Sequence, residues 1–392
     1  MRYFMPLGFV LAAAIAPLNA ALADRVNVLH TFSGPDGASP RAALILDEAG
    51  NLYGTTSNGG SANLGTVFKV APDGTQSVLY SFTTKDGSQG PLAGLLRDNA
   101  GNLYGTTATG LRRRGGSVFR VSPAGIETSL YQFSGAGPAG YLPVAPLIAD
   151  ARGNIYGTTS KGGVNGGGTA FKLTPSGNIK VLFSFGHASD GFSPAGGLTV
   201  DKQGNLYGTT ALGGTGFGGT IFKITPDGTE TTLYSFAQGS ESFEPWGGVI
   251  RDKQGNLYGT TMYGSYGPNG GSVYKLAPDG TFTTLYSFGS GFRDGAQPLG
   301  NLVADRKGNL YGTTSSGGIQ NCGTVFRISP DGTEKTLFSF NTATRAYHKG
   351  VQPFAGLTID HDGNLFGTTS FAGGTRKHSG QGTVFEINAR SK

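Results

Sequence analysis

At 392 residues the chain has the length of two or three ordinary domains, yet only 14 % of its residues are charged and 69 are glycine. Its formal net charge of +6 is mild. No helix-turn-helix, zinc-finger or RNA-binding pattern accompanies it, so nucleic acid is not an expected partner. One cysteine, Cys322, excludes an intrachain disulfide and reads as a free structural thiol.

The N-terminus has the layout of an export signal. Arg2 supplies positive charge, "PLGFVLAAAIAPL" an apolar run, and "ALA" at residues 21–23 a small-residue cleavage site before Asp24. The run is short and alanine-rich for a membrane span, and no second apolar segment follows. The expectation is a signal peptide over 1–23 and a periplasmic or secreted body over 24–392, a monomer with no membrane span once the signal is removed.

From Gly50 onward the chain repeats itself. "GNLYGTT" opens at Gly50, Gly101, Gly204, Gly255 and Gly308, with "GNIYGTT" at Gly153 and "GNLFGTT" at Gly363. Each unit carries four short runs rich in Val, Ile, Leu, Tyr and Phe, separated by Gly, Asn, Asp and Pro. Residues 91–133 show them in order: "PLAGLLRD", "NAGNLYGTTA", "GSVFRVSP" and "AGIETSLYQF". No segment sustains a 3.6-residue period, so helix is nearly absent. Four strands in about fifty residues, repeated, predict propeller blades, with strands A to D running from the axis outward. The last unit supplies A, B and C but no D strand, while the orphan "VNVLHTF" at 26–32 matches the D-strand pattern "SVLYSF". The fold expected is therefore all-β: a seven-bladed β-propeller of four-stranded blades, closed by N-terminal strand 26–32 completing the last blade.

Within the repeated heptapeptide, Gly-Asn is expected to make the A–B hairpin, where positive φ is needed. Leu and Tyr are expected to pack within and between blades. The next Gly is expected to let a neighbouring sheet approach closely, and the Thr pair suits a strand ending at a loop.

The pattern "DxxGNLYGTT…GTVFK…PDGT…LYSF" over residues 26–387 resembles the Gloeo/Verruco-type (GloVer) tandem repeat of exported bacterial proteins. It is more weakly similar to NHL and SMP-30-like propellers through "GN-[LI]-Y". The first resemblance implies exported propeller architecture and brings no catalytic residues. Members of that family carry varied C-terminal surface anchors, whereas this chain ends "FEINARSK". SMP-30-like lactonases hold a metal at the channel mouth. The matching positions here are Ala43, Gly94, Pro146, Gly197, Gly248, Asn301 and Gly356, of which only Asn301 could ligate, so neither a metal nor another cofactor is expected.

Function is expected in the loops. The A–B hairpins and C–D turns are short and nearly constant and belong to one rim. The D–A and B–C connections vary and belong to the other, where binding is expected. The D–A loop 341–352 and the B–C loop 370–381 are the longest pair and gather Arg345, Tyr347, His348, Lys349, Arg376, Lys377 and His378. Arg112, Arg113 and Arg114 form a second basic cluster. Such residues suit carboxylate or sulfate groups. In an enzyme, His348 or Tyr347 would abstract a proton beside a uronate, with Arg345 or Arg376 neutralising it and His378 nearby. The same charges can serve solubility alone. A third cluster is aromatic: Phe243, Trp246, Tyr263 and Tyr266 on one D–A and B–C loop pair, with Glu241 and Glu244 beside them. Aromatic faces stack on sugars, although Trp246 could equally fill the channel mouth. The reading is a protein that binds a carbohydrate, an anionic glycan included, or another extracellular ligand. The alternatives are a polysaccharide lyase or glycoside hydrolase, and a surface protein-interaction scaffold.

Overall fold

The computed structural model describes residues 26–388 apart from 85–87, 111–113, 136, 268–269, 292, 342–348 and 372–379. The signal peptide expected over 1–23 lies outside the described residues. Seven four-stranded antiparallel sheets form a seven-bladed propeller, and the described residues contain no α-helix. Blade 1 is representative: strand A Ile45–Leu46, B Leu52–Thr56, C Thr66–Val70 and D Gln76–Ser81.

The ring closes as the orphan strand predicts. Val26–Thr31 pairs antiparallel with Thr383–Ile387 and becomes strand D of blade 7, in the order D, C, B, A. Val26 lies opposite Ile387 and Thr31 opposite Thr383. First and last segments thereby share a sheet, leaving no unpaired C-strand edge at the joint. Every blade also carries a register shift between C and D, at Val67/Phe68 in blade 1 and Val28/His30 in blade 7. Such bulges increase the local twist of the outer strand.

The core lies between blades. Val67 and Phe82 of blade 1 pack with Leu95, Leu103, Phe119 and Val121 of blade 2, and the same arrangement recurs at every joint. The last Phe of each D motif meets the strand-C aromatic of the following blade. At the closure, Phe32 and Phe68 have ring centroids 5.0 Å apart and are inclined at 68°. The other six pairs run from Phe82–Phe119 to Phe340–Phe385. Edge-on aromatic packing is favourable beyond the area it buries.

Each residue of the heptapeptide has a definite task. Gly50 takes φ +81 in the A–B hairpin, as expected of this turn. The Asp that precedes it does more than the sequence suggested. Asp47 accepts from the Ala49 and Asn51 amides, from Asn51 Nδ2 and from the Tyr53 hydroxyl at 2.9 Å. Six blades carry the Asp–Tyr bond; blade 7 has Phe366 and keeps only the Asp360–Asn364 part. Burial opposes ionisation of Asp47, but these donors together hold its carboxyl below the usual range.

The second Gly does not admit a neighbouring sheet, contrary to expectation. A Cβ on Gly54 would sit 2.6 Å from Phe68 Cζ and 2.8 Å from Leu44 Cδ2, both in the same blade. Gly54 lies directly opposite Phe68, whose ring crosses over it. The first Thr bonds to the next blade's inner segment: Thr55 Oγ1 donates to the Ala93 carbonyl at 3.0 Å, and all seven blades repeat this. The second Thr, Thr56, shares a hydrogen bond with Thr66 on strand C, and this too recurs in every blade.

Candidate functional site

The two loop types share a rim, as expected. Each D–A loop pairs with the B–C loop of its own blade, by a two-stranded ladder such as Phe243 opposite Tyr263 or by a single bridge such as Val351 with Phe371. The long pair 341–352 and 370–381 is thus anchored side by side at Val351 and Phe371.

A backbone belt ties these loops around the axis. The residue before each rim proline has positive φ: Ser39 +53, Gly90 +66, Leu142 +62, Ser193 +57, Glu244 +58, Gln297 +55 and Gln352 +55. A residue before proline ordinarily favours extended backbone. Here both its polar groups are held. Glu244 N–H donates to the Gly218 carbonyl of blade 4 at 2.7 Å, and its carbonyl accepts from Met262 of blade 5 at 2.9 Å. All seven positions repeat this bridge.

Just after each proline stands one residue of a mouth ring: Arg41, Leu92, Val144, Ala195, Trp246, Leu299 and Phe354. One adjacent pair is in contact: Arg41 Cζ lies 5.4 Å from the Phe354 ring centroid, and 6.0 Å from that of Phe371 on the B–C loop of blade 7. Inner-segment residues of different blades lie close together. A Cβ on Gly197 would lie 2.9 Å from Pro146 Cγ and 3.1 Å from Asn301 Nδ2. Asn301 Oδ1 accepts from the Gly248 amide at 2.7 Å, so the one inner residue with ligating chemistry braces the neighbouring blade.

Trp246 is 38 % exposed, and its indole N–H points to Glu244 Oε2 at 3.4 Å. Phe243 and Tyr263 face each other with centroids 5.5 Å apart, and Phe243 also packs against the core between blades 4 and 5. Tyr266 is exposed on the B–C loop. All four of these aromatics therefore come from two hydrogen-bonded loops, with Trp246 three residues beyond Phe243.

The basic cluster is less fully placed. Arg345, Tyr347, His348, Arg376, Lys377, His378, Arg112 and Arg113 lie outside the described residues. Arg114 begins strand C of blade 2, opposite Ser134. Lys349 Nζ donates to the Val26 carbonyl at 2.8 Å and lies 5.7 Å from the Phe338 centroid, so it braces the closing strand. His187 Nδ1 contacts Asp190 Oδ2 at 3.0 Å, and Asp190 accepts from the Gly186 and His187 amides. This is a loop-forming arrangement, as are those of Asp36 and Asp294. Cys322 is buried, which pushes its thiol pKa up.

Sequence reasoning overlooked Phe217. It is 65 % exposed where the B–C loop of blade 4 enters strand C, opposite Ala237, at φ +60. The visible signal was its place in "GGTGFGGT", where the corresponding loops have Asn63, Gly166 and Asn321. It also gave no hint of two clefts on the opposite rim. One, of 630 Å³ between blades 6 and 7, is lined by Asp305, Arg306, Arg327 and His361. The other, of 390 Å³ between blades 7 and 1, opens where Leu46 and Phe366 replace the Arg and Tyr that stack as Arg97 on Tyr53.

Solved structures share this architecture at low identity. The extracellular domain of a proposed one-component system, BT4673, from B. thetaiotaomicron superposes with TM-score 0.59 at 10 % identity over 91 % of this chain. The chain spans 39 % of that protein's length. A proposed 6-phosphogluconolactonase from Bacteroides uniformis superposes with TM-score 0.54 at 16 % identity, covering 82 % of this chain and 88 % of that one. These likenesses concern the fold alone. No curated protein matches the chain. Residues 18–215 and 197–392 each match the profile of the Gloeobacter/Verrucomicrobia repeat, and with every blade of the ring built on that repeat the chain belongs to this family.

Proposed function

We propose that this protein is an exported propeller whose variable rim binds a carbohydrate, through the aromatic loops of blades 4 and 5. The observation that carries the reading is Trp246: a large exposed ring at the axial mouth, where the equivalent residues are mostly aliphatic. An apolar ring face with a polar edge suits a sugar's C–H face in a wet site. The loops that present it are fixed by the Phe243–Tyr263 ladder and the Glu244 bridge, so little ordering is needed on binding. Export rests on the N-terminal segment; the similarity to an extracellular domain accords with it. Among the described residues no helix is long and apolar enough to cross a membrane.

The test is a glycan array with wild type and Trp246→Ala. Retention of selected glycans by the wild type and their loss in the variant is expected. Binding unchanged by the substitution would refute a Trp246-centred site. Release of unsaturated sugar ends during incubation with uronate glycans, read as rising ultraviolet absorbance, would replace the binding reading with a lyase.

A further inference from the structure

The B–C loops of blades 1, 3, 4 and 6 turn the same left-handed corner. At its apex stand Asn63 (φ +56), Gly166 (φ +82), Phe217 (φ +60) and Asn321 (φ +54). In each, the apex amide donates to the glycine carbonyl three residues back: Gly60, Gly163, Gly214 and Gly318. Glycine and asparagine are the residues that tolerate this backbone. In blades 1 and 6 the asparagine gains a further bond, Asn63 Oδ1 accepting from Gly59 N at 2.8 Å and Asn321 Oδ1 from Gly317 N at 2.7 Å. Phe217 has no side-chain acceptor to offer there. Its ring is 65 % exposed, so core packing does not compensate the backbone cost. On stability alone, this position should hold Asn or Gly.

Phe217 also stands beside the aromatic loops. The carbonyl of its neighbour Gly218 accepts the Glu244 amide, and Trp246 follows two residues later. By chain reach the Phe217 and Trp246 Cα atoms are at most about 17 Å apart, so one short oligosaccharide can touch both. The charged residues in the described parts of these loops, 212–218, 238–246 and 262–267, are Glu241 and Glu244, both acids. Carboxylates accept hydrogen bonds from sugar hydroxyls but repel uronate and sulfate groups.

We infer that Phe217 is a second stacking platform, and that with Trp246 it binds a neutral glycan chain of at least two units rather than an acidic one. This rests on the carbohydrate reading above and narrows it.

Cellohexaose and mannohexaose serve as neutral probes and hexagalacturonate as the acidic one, with calorimetric titration of wild type, Trp246→Ala and Phe217→Asn. Phe217→Asn is expected to melt at the wild-type temperature or higher and to bind a neutral hexasaccharide about five- to tenfold more weakly. Loss of neutral-glycan binding in Trp246→Ala with full binding in Phe217→Asn overturns this inference and leaves the carbohydrate reading intact. A lowered melting temperature in Phe217→Asn overturns the strain argument. Preference for hexagalacturonate overturns the neutral-glycan assignment, and binding of none of the three probes overturns the inference as stated.

Discussion

Thr368 Oγ1 donates to the Ala42 carbonyl at 3.3 Å, joining the last blade to the inner segment of the first. The same bond crosses the six other joints, so closure uses the chemistry of every internal interface, to which the borrowed D strand and its Lys349 brace are added. Thr368→Val keeps the shape and removes the donor, leaving a carbonyl short of a partner. A loss of about 1–2 kcal/mol is expected, seen as a melting temperature lower by a few degrees, with Thr368→Ser recovering most of it. An unchanged transition in Thr368→Val would mean that the bond contributes nothing to closure.

The borrowed strand makes a stronger demand. Removing residues 1–25 should leave folding intact, because strand D of blade 7 begins at Val26. Removing 1–32 takes away that strand together with Phe32, which is fully buried against Phe68. The C-strand edge Thr383–Ile387 is then unpaired, and aggregation is expected. Size-exclusion chromatography of both truncations decides the matter: a monomeric, cooperatively melting 33–392 fragment would contradict it.

Much of this architecture was legible because the repeat fixes local chemistry. The Gly-Asn hairpins, the four runs per unit and the unmatched "VNVLHTF" are all short-range signals, and they sufficed for blade count and closure. What escaped was long-range. Thr55 and its acceptor at Ala93 are 38 residues apart, and nothing in "GTT" distinguishes a strand end from a donor to the next blade. The Gly54 reading failed because direct pairing with Phe68 depends on register, and register places the ring over the glycine within its own blade. The positive φ before each proline ran against local preference and is imposed by two tertiary hydrogen bonds. At the candidate site, Trp246 and its neighbours were legible as loop aromatics, whereas Phe217 required knowing that its position turns left-handed.

Glu230 should make stability fall as pH rises through neutrality. Burial raises its carboxyl pKa to about 7; the Thr232 hydroxyl opposes that shift and the Asp190 charge adds to it. The folded-state value exceeds the unfolded one. The associated stabilisation is therefore fully present below about pH 4.5 and is lost as pH rises through 7. Glu230→Gln removes the ionisation, so the variant should gain on wild type between pH 5 and pH 8. Melting temperatures across that range test this, and a difference independent of pH would refute the assignment.

Tyr274 occupies the strand-C position held by phenylalanine in the other six blades, from Phe68 to Phe385. Its side chain is fully buried between Phe236, Phe282 and Gly259, and its hydroxyl has no hydrogen-bond partner among the described residues. Burial alone pushes its pKa far above the ordinary tyrosine value. The ring does what its counterparts do, covering a glycine and receiving the preceding blade's D-strand aromatic, while the oxygen carries a desolvation cost that no contact repays. Tyr274→Phe should therefore stabilise the protein by about 1–2 kcal/mol, with the rest of the ring unchanged. Chemical denaturation at pH 7 gives the sign directly. A destabilised variant would show that the hydroxyl has a partner in solution and that blade 5 departs from its sisters for a structural reason.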